Sequence, residues 1–197
     1  VAMDTIAPAD DTPKQRRFTV EEYHRMGEAG ILHEDDRIEL LDGQLYVMSP
    51  IGSEHAACVR RLDRIFQRRA EPEALVSAQN PIVLGEDSEP EPDLALLSPR
   101  DDDYAAHHPR PEDVLLLVEV ADSTEAFDRR TKLPLYAQAG IPEYWVVSLS
   151  DDHVHVYRDP DGDHYGSHSA YGINDSMAVG PLSGTAPLPV SRILGRE

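Results

Sequence analysis

The sequence predicts an α/β protein in which helices cover a central sheet. The first observation is a short apolar run at residues 114–120, which is typical of a strand buried on both faces. The second is the order of patterns along the chain: helix, hairpin, helix, several strands, helix, strands. The third is a length of 197 residues with 40% hydrophobic content, which suits one domain with a sizeable core.

Composition limits the classes of protein that the chain can belong to. The formal net charge of −19 opposes attraction to nucleic acid and anionic membranes, so a nucleic-acid partner needs a local basic patch or metal ions. No stretch approaches the roughly 20 apolar residues of a membrane helix, and no apolar leader suggests secretion. Cys58 is the single cysteine, which excludes an internal disulfide and a cysteine-based zinc site. We therefore expect a cytoplasmic protein with no membrane partner.

The first elements follow from composition and capping signals. Residues 1–16 are polar and without periodicity, which predicts a disordered tail before a single domain at 17–197. Thr19 and Glu22 have the spacing of a capping box, which predicts a short helix over 20–28.

A β-hairpin is predicted over residues 37–48, because Asp42-Gly43 lies between two apolar runs and suits a tight turn. Strand alternation puts Ile38 and Leu40 on one face and Glu39 on the other. By pattern alone, we interpret Glu39 as a solvated carboxylate on an edge strand.

A second helix is predicted from Glu54 to about Arg69, with Ser53 as its N-cap. It carries the one concentrated basic surface in the sequence, formed by Arg60, Arg61, Arg64, Arg68 and Arg69. A solvated helix face is the favoured interpretation of these arginines, and a face that contacts phosphate groups is the alternative. His55, in the first turn, is expected to be neutral and is either a surface residue or an acceptor in a site.

Two carboxylates lie at predicted strands in the middle of the chain. Residues 75–79 and 81–84 predict a strand with a kink, and Asp93 begins the strand that follows. Glu119 lies near the end of the run 114–120, where a lone carboxylate is costly to bury unless a cation or hydrogen bonds meet it.

A helix is predicted over 127–140, and it carries Lys132, one of only two lysines in the sequence. Further strands are predicted at 143–149, 153–157 and 163–169. The His107-His108 pair and the His153 and His155 pair have spacings that can bind metal, but solvated positions are the favoured interpretation.

The spacing of three of these residues suggests a reaction. Asp93 and Glu119 on adjacent strands can hold a hard divalent ion through oxygen, leaving positions for water and phosphate oxygens. The Lys132 ammonium can position and deprotonate an attacking water or offset charge on phosphate. These are the minimum parts for metal-dependent phosphodiester hydrolysis.

The motifs of this chain resemble those of a known family. Pro92-Asp93 followed by Glu119 in an apolar strand resembles the PD-(D/E)xK nuclease signature. Six further segments around residues 37–43, 55, 91–93, 118–124, 132–137 and 139–145, in this order, are similar to the Uma2 family (formerly DUF820). The resemblance extends over about 18–157. It implies a restriction-endonuclease-like core, with a mixed β-sheet flanked by helices.

The resemblance also implies roles for individual residues. Asp93 and Glu119 match the metal-binding acids, and Glu39 matches an acid from an earlier element. His55 matches a histidine typical of the family, which would complete the pocket.

The lysine of the signature is displaced in this chain. The signature expects Lys two residues after the second acid, where this sequence has Ala121. The family resemblance implies that Lys132, on the following helix, takes this role instead.

Two functions are carried forward. The first is a Mg²⁺- or Mn²⁺-dependent nuclease acting on nucleic acid, in which a homodimer would suit cleavage of two strands. The second is a non-catalytic interaction or regulatory module on a nuclease-like fold, which the net charge of −19 and Ala121 favour.

Overall fold

The computed structural model of the chain describes residues 14–196 except for 34, 123 and 183. Within them, six strands form one sheet in the order β3-β4-β5-β6-β7-β8. These strands are β3 (Leu75–Ala78), β4 (Leu94–Leu97), β5 (Val114–Ala121), β6 (Glu143–Ser148), β7 (His153–Asp161) and β8 (His164–Gly172). β5 and β6 run parallel and the other neighbouring pairs run antiparallel, so the sheet is mixed.

Two small sheets and several helices surround this sheet. The strands of the small sheets are β1 (Ile38–Leu41), β2 (Gln44–Val47), β9 (Ser176–Met177) and β10 (Leu188–Pro189). The α-helices are α1 (Val20–Glu28), α2 (Ser53–Gln67), α3 (Glu125–Phe127), α4 (Leu133–Gln138) and α5 (Val190–Leu194). A π-helical segment, Asp128–Lys132, joins α3 to α4. No helix in the described part of the chain is long and apolar enough to cross a membrane.

Helices cover both faces of the six-stranded sheet. Alternate residues of β5 divide between two buried clusters: Val118 packs with residues of α2 and α5, and Leu117 packs with residues of α4. Glu119 has the same parity as Leu117 and therefore points to the face covered by α4. The predicted α/β architecture, with a buried central strand, is confirmed.

Local signals placed most elements correctly. α1 has the predicted capping box of Thr19 and Glu22. The hairpin turn has positive φ at Asp42 (49°) and Gly43 (70°), as the Asp-Gly pair predicts. Ser53, however, is the first residue of α2 rather than its cap, and Gly52 holds the N-cap position without a side-chain hydrogen bond.

The predicted strand over 81–84 is wrong. Ile82 and Leu84 donate their backbone N–H groups to Pro90 and Ser88, and Val83 donates to Pro109. These acceptors belong to loops, so the apolar run packs without joining a strand ladder. Of the predicted tail, residues 1–13 lie outside the described residues, and a single domain over 17–197 stays a prediction.

Candidate active site

Asp93 and Glu119 come together because β4 and β5 are neighbours in the sheet. Leu94 pairs with Val118, which places the preceding Asp93 beside Glu119. Asp93 is 7% exposed and Glu119 is 5% exposed. The backbone N–H of Val120 donates to Asp93 Oδ2 at 2.9 Å, so β5 itself orients the aspartate.

His55 reaches the same aspartate from the first turn of α2. Its Nε2 lies 2.9 Å from Asp93 Oδ2, and the other ring nitrogen, Nδ1, is buried without a hydrogen-bond partner in the described structure. Of the two interpretations of His55, the structure therefore favours a position inside the cleft over a surface position. Asp93 is held by a ring nitrogen and a backbone amide, which fixes the direction of its carboxylate.

Lys132 projects from the end of the π-helical segment into the space between two carboxylates. Its side chain is buried, and Nζ donates to Glu119 Oε1 at 2.8 Å and to Glu39 Oε1 at 3.2 Å. Glu39 Oε2 also lies 3.0 Å from Nζ. The π-helical turn, a feature found frequently at functional sites, thus carries the ammonium that the sequence suggested would meet Glu119.

The interpretation of Glu39 as a solvated edge carboxylate is wrong. Glu39 is 4% exposed, and Leu40 on the opposite face of β1 is fully buried. Glu89 pairs with Leu40 in an isolated bridge, so the loop 81–91 lies along the edge of β1 that β2 leaves open. The face of β1 that carries Glu39 meets Lys132, which brings the acid into contact with the central strand.

Tyr136 is a contact that sequence reasoning did not single out. One helical turn after Lys132, its hydroxyl donates to Glu119 Oε1 at 2.8 Å. Glu119 Oε1 therefore accepts from both an ammonium and a phenol. The i, i+4 spacing of Lys132 and Tyr136 places both on one helix face and is a signal that could have identified Tyr136.

The pKa directions in this cluster follow from burial and charge. Burial disfavours the charged form of Lys132. The negative charges of Glu119, Glu39 and Asp128 outweigh this effect and raise the pKa of Lys132 above its ordinary value. Burial raises the pKa of Glu119, and the nearby ammonium opposes that shift. Lys132 is therefore an ammonium at neutral pH.

A cleft of about 80 Å³ opens onto these side chains. Besides the five predicted residues, it is lined by further charged side chains: Arg37, Glu91, Asp122 and Asp128. Burial raises the pKa of Asp128 to about 6 and raises that of Glu91. The volume admits several water molecules and is far below that of a typical small-molecule pocket.

The donor chemistry of the cleft fits a hard divalent ion. Asp93 and Glu119 supply carboxylate oxygens, and Mg²⁺ typically binds one or two carboxylates while keeping several waters. Glu39 Oε2 is a buried oxygen that receives no hydrogen bond from the described residues, despite its closeness to Lys132. No three His, Cys, Asp or Glu residues in the described ranges are arranged to hold a metal together.

The remaining predicted candidates lie elsewhere. His107 and His108 are exposed. His153 and His155 are half-buried rather than fully solvated, and His155 Nδ1 lies 3.2 Å from His168 Nε2. None of these histidines lines the cleft.

Comparisons with known proteins agree with this architecture. A family model described as "Uma2: Putative restriction endonuclease" matches residues 20–190. The fold is similar to the crystal structure of "a putative nuclease belonging to DUF820" from Anabaena variabilis ATCC 29413, with a TM-score of 0.69 and 14% sequence identity. That match covers 91% of this chain and 98% of the other. No curated protein matches the chain.

Proposed function

Because the chain belongs to the Uma2 family, we propose that it is a nuclease that hydrolyses phosphodiester bonds of nucleic acid with a divalent metal ion. The observation that carries this proposal is the single cleft that Glu39, His55, Asp93, Glu119 and Lys132 share. Restriction-endonuclease-like proteins in general use divalent metals. Mg²⁺ or Mn²⁺ is the proposed cofactor here, since carboxylate oxygens are the donors available.

Asp93 and Glu119 are the proposed metal ligands. When bound, such an ion would polarise the phosphoryl oxygens and lower the pKa of a bound water. The Val120 amide and His55 hold the Asp93 carboxylate, and Lys132 and Tyr136 hold that of Glu119. Both carboxylates are therefore already oriented before an ion arrives, which favours binding.

Lys132 is proposed to act as a fixed positive charge. In the protein without a metal ion, the three neighbouring carboxylates raise the pKa of Lys132 and keep its ammonium protonated at neutral pH. It can donate hydrogen bonds to a phosphate oxygen and offset negative charge that develops as the phosphate bond breaks. Of the two roles that the sequence suggested, the charge-offsetting role is the one that the pKa supports.

The small volume of the cleft supports a polymeric substrate. About 80 Å³ accommodates a phosphate group and water. Most of the substrate would therefore lie outside the cleft, with one phosphodiester group presented to the acids. This arrangement suits an endonuclease.

The experiment is cleavage of supercoiled plasmid and of labelled RNA in the presence of Mg²⁺ or Mn²⁺. Asp93→Asn and Glu119→Gln are expected to abolish cleavage, because each removes one negative ligand oxygen. Asp101→Asn and Glu73→Gln, at exposed carboxylates outside the cleft, are the matched controls and should retain it. Wild-type rates in folded Asp93→Asn and Glu119→Gln proteins would refute the assignment.

The second candidate is a non-catalytic interaction or regulatory module. Ala121 at the lysine position of the signature and the net charge of −19 favour it. Calorimetric titration with Mn²⁺ separates the two, since the nuclease should bind the ion near neutral pH and the module should not. A homodimer and a cytoplasmic location stay predictions, and light scattering on the purified protein tests the first.

A further inference from the structure

A pocket lined by arginines lies between α2 and α5, outside the candidate active site. Its volume is about 320 Å³. The lining consists of Arg61, Arg64, Ile65, Arg68, Arg192 and Gly195. None of these side chains is acidic, although the whole chain carries a net charge of −19. We call this cavity the arginine pocket.

Arg61, one of the lining residues, is held by two hydrogen bonds to α5. Its Nε donates to the carbonyl of Ile193 at 3.0 Å and its Nη2 donates to that of Leu194 at 2.8 Å. Gly195 follows with a φ of +68°, and a Cβ there would lie 2.6 Å from the Arg61 Cζ. The glycine therefore permits both the left-handed turn at the end of α5 and the close approach of the guanidinium.

Arg64, Arg68 and Arg192 are exposed and form no ion pair with any carboxylate in the described residues. Several other arginines do pair: Arg16 with Glu22, Arg100 with Asp102, Arg129 with Glu125 and Arg158 with Glu143. Acidic side chains are thus abundant in the chain, but none of those described neutralises the arginine pocket.

Positive charges gathered in one cavity repel one another unless an anion binds there. The planar guanidinium group presents paired donors whose geometry matches phosphate oxygens, and several arginines can share one or two phosphates. The arginine pocket therefore offers guanidinium donors to a phosphate-bearing ligand, with Arg61 held by two backbone carbonyls and the three other arginines outside any ion pair among the described residues.

We propose that the arginine pocket binds phosphate groups of a nucleic-acid backbone and anchors the substrate outside the cleft; this rests on the proposed nuclease function. Acidic side chains outnumber basic ones in the lining of the cleft, so a second, basic site outside it would add attraction for the backbone. α2 connects the two places, because His55 lines the cleft and Arg64 lines the arginine pocket. Nine residues of helix separate them by about 14 Å along the helix axis.

The two sites occupy different faces of α2. Nine residues at about 100° each turn Arg64 to the side opposite His55, away from the buried face of α2. A single phosphate of the nucleic acid therefore cannot contact the arginine pocket and the cleft at the same time. The arginine pocket is therefore an anchor for a flanking part of the substrate, not an extension of the reacting centre.

The test measures binding in EDTA, so that metal-dependent cleavage does not interfere. A fluorescent duplex of about 30 base pairs is titrated with full-length protein at several salt concentrations. The variant Arg64→Gln/Arg68→Gln/Arg192→Gln leaves Arg61 in place to hold α5. The matched control is Arg16→Gln/Arg25→Gln/Arg110→Gln, which removes the same charge from exposed positions outside the arginine pocket.

The pocket variant is expected to bind at least about tenfold more weakly, and its log K against log salt slope should be shallower by up to about 2.7. The control should retain most of the wild-type affinity and slope. Equal losses in both variants, or no loss in the pocket variant, would overturn the proposal. Circular dichroism verifies that both variants are folded.

Competition identifies the ligand chemistry. Tripolyphosphate and polyglutamate are added to the protein–duplex complex at equal charge. Displacement by tripolyphosphate but much less by polyglutamate supports phosphate recognition. If tripolyphosphate binds in an arginine-dependent way and the duplex does not bind, the arginine pocket takes free phosphates and the proposal is wrong; equal displacement by polyglutamate also refutes it.

The outcome is separable from that of the proposed function. If wild-type protein binds the duplex through these arginines but cleaves nothing with Mg²⁺ or Mn²⁺, the anchor stands and the nuclease proposal fails. If the protein cleaves and the pocket variant binds and cleaves like wild type, the nuclease stands and the anchor fails.

Discussion

Replacing Lys132 by Met should destabilise the fold through the charges it leaves behind. Methionine keeps an unbranched stem of similar length but removes the ammonium that lies 2.8 Å from Glu119 and 3.0 Å from Glu39. All three residues are at most 5% exposed, so only the few water molecules of the cleft can take the place of the lost partner. Removing one member of a buried ion pair typically costs about 3–5 kcal/mol.

Urea denaturation followed by circular dichroism measures this loss. With a slope of about 2 kcal/mol per M, the midpoint should fall by about 1.5–2.5 M. Arg25→Met, at an exposed residue, is the control and should change the midpoint by less than about 0.3 M. A double variant, Lys132→Met/Glu119→Gln, should recover part of the loss, because it removes one of the stranded charges.

The pH dependence gives a second measurement of the same idea. The pKa of Lys132 is raised in the folded state. Its contribution to the free energy of unfolding is therefore complete below about pH 10 and constant between about pH 5 and 8. In the variant, Glu119 lacks its cation, and burial raises its pKa. As the pH falls, protonation therefore removes the buried negative charge and its cost to stability. The loss should therefore be smaller at about pH 5 than at about pH 8. A midpoint within about 0.3 M of wild type at both values would refute the reasoning.

Three further predictions concern neighbouring positions. Tyr136→Phe removes a hydrogen bond to Glu119 and should lower the free energy of unfolding by about 1.5–3 kcal/mol, as measured in urea. Gly195→Ala should lower the melting temperature by a few degrees, because alanine is strained at φ +68° and its Cβ meets Arg61. Burial raises the pKa of Asp128 to about 6. The stability that its protonated form contributes is therefore complete below about pH 4 and is lost as the pH rises through 6. Asp128→Asn should therefore flatten the stability–pH profile in that window, and an unchanged profile contradicts the burial of its charge.

Local chemistry made the central strand and the hairpin predictable. The run 114–120 is short, apolar and interrupted by one carboxylate, and β5 is buried as that pattern requires. Asp42-Gly43 predicted its turn because few other residue pairs adopt two successive positive φ angles. Such signals depend on neighbours in sequence and do not require knowledge of the tertiary packing.

The environment of Glu39 could not be predicted in the same way. Alternation assigns Glu39 and Leu40 to opposite faces of β1, but it does not say which face is covered. In the structure both residues are buried: a loop pairs with the edge of β1 through Glu89, and Lys132 meets the Glu39 carboxylate. Those contacts join residues 49 and 93 positions apart, and no local pattern encodes them.

The candidate site was partly predictable for a similar reason. Asp93 and Glu119 were expected on adjacent strands, and the ladder between β4 and β5 brings them together. The partner of each acid depends on elements that cross the sheet: His55 from α2, and Tyr136 from α4. The arginine pocket was anticipated only as a basic helix face, because its other wall, α5, had no clear pattern.

The parallel pairing of β5 and β6 has a consequence for how such proteins are recognised from sequence. Parallel neighbours require the chain to leave the sheet and return, and here that excursion carries Lys132 back over Glu119. Ala121, two residues after Glu119, points to the same side of the sheet and is buried. A cationic side chain can therefore reach Glu119 either from position 121 of the strand or from position 132 of the crossover. A motif search that requires the lysine on the same strand as the glutamate will miss chains in which the lysine lies on the crossover helix.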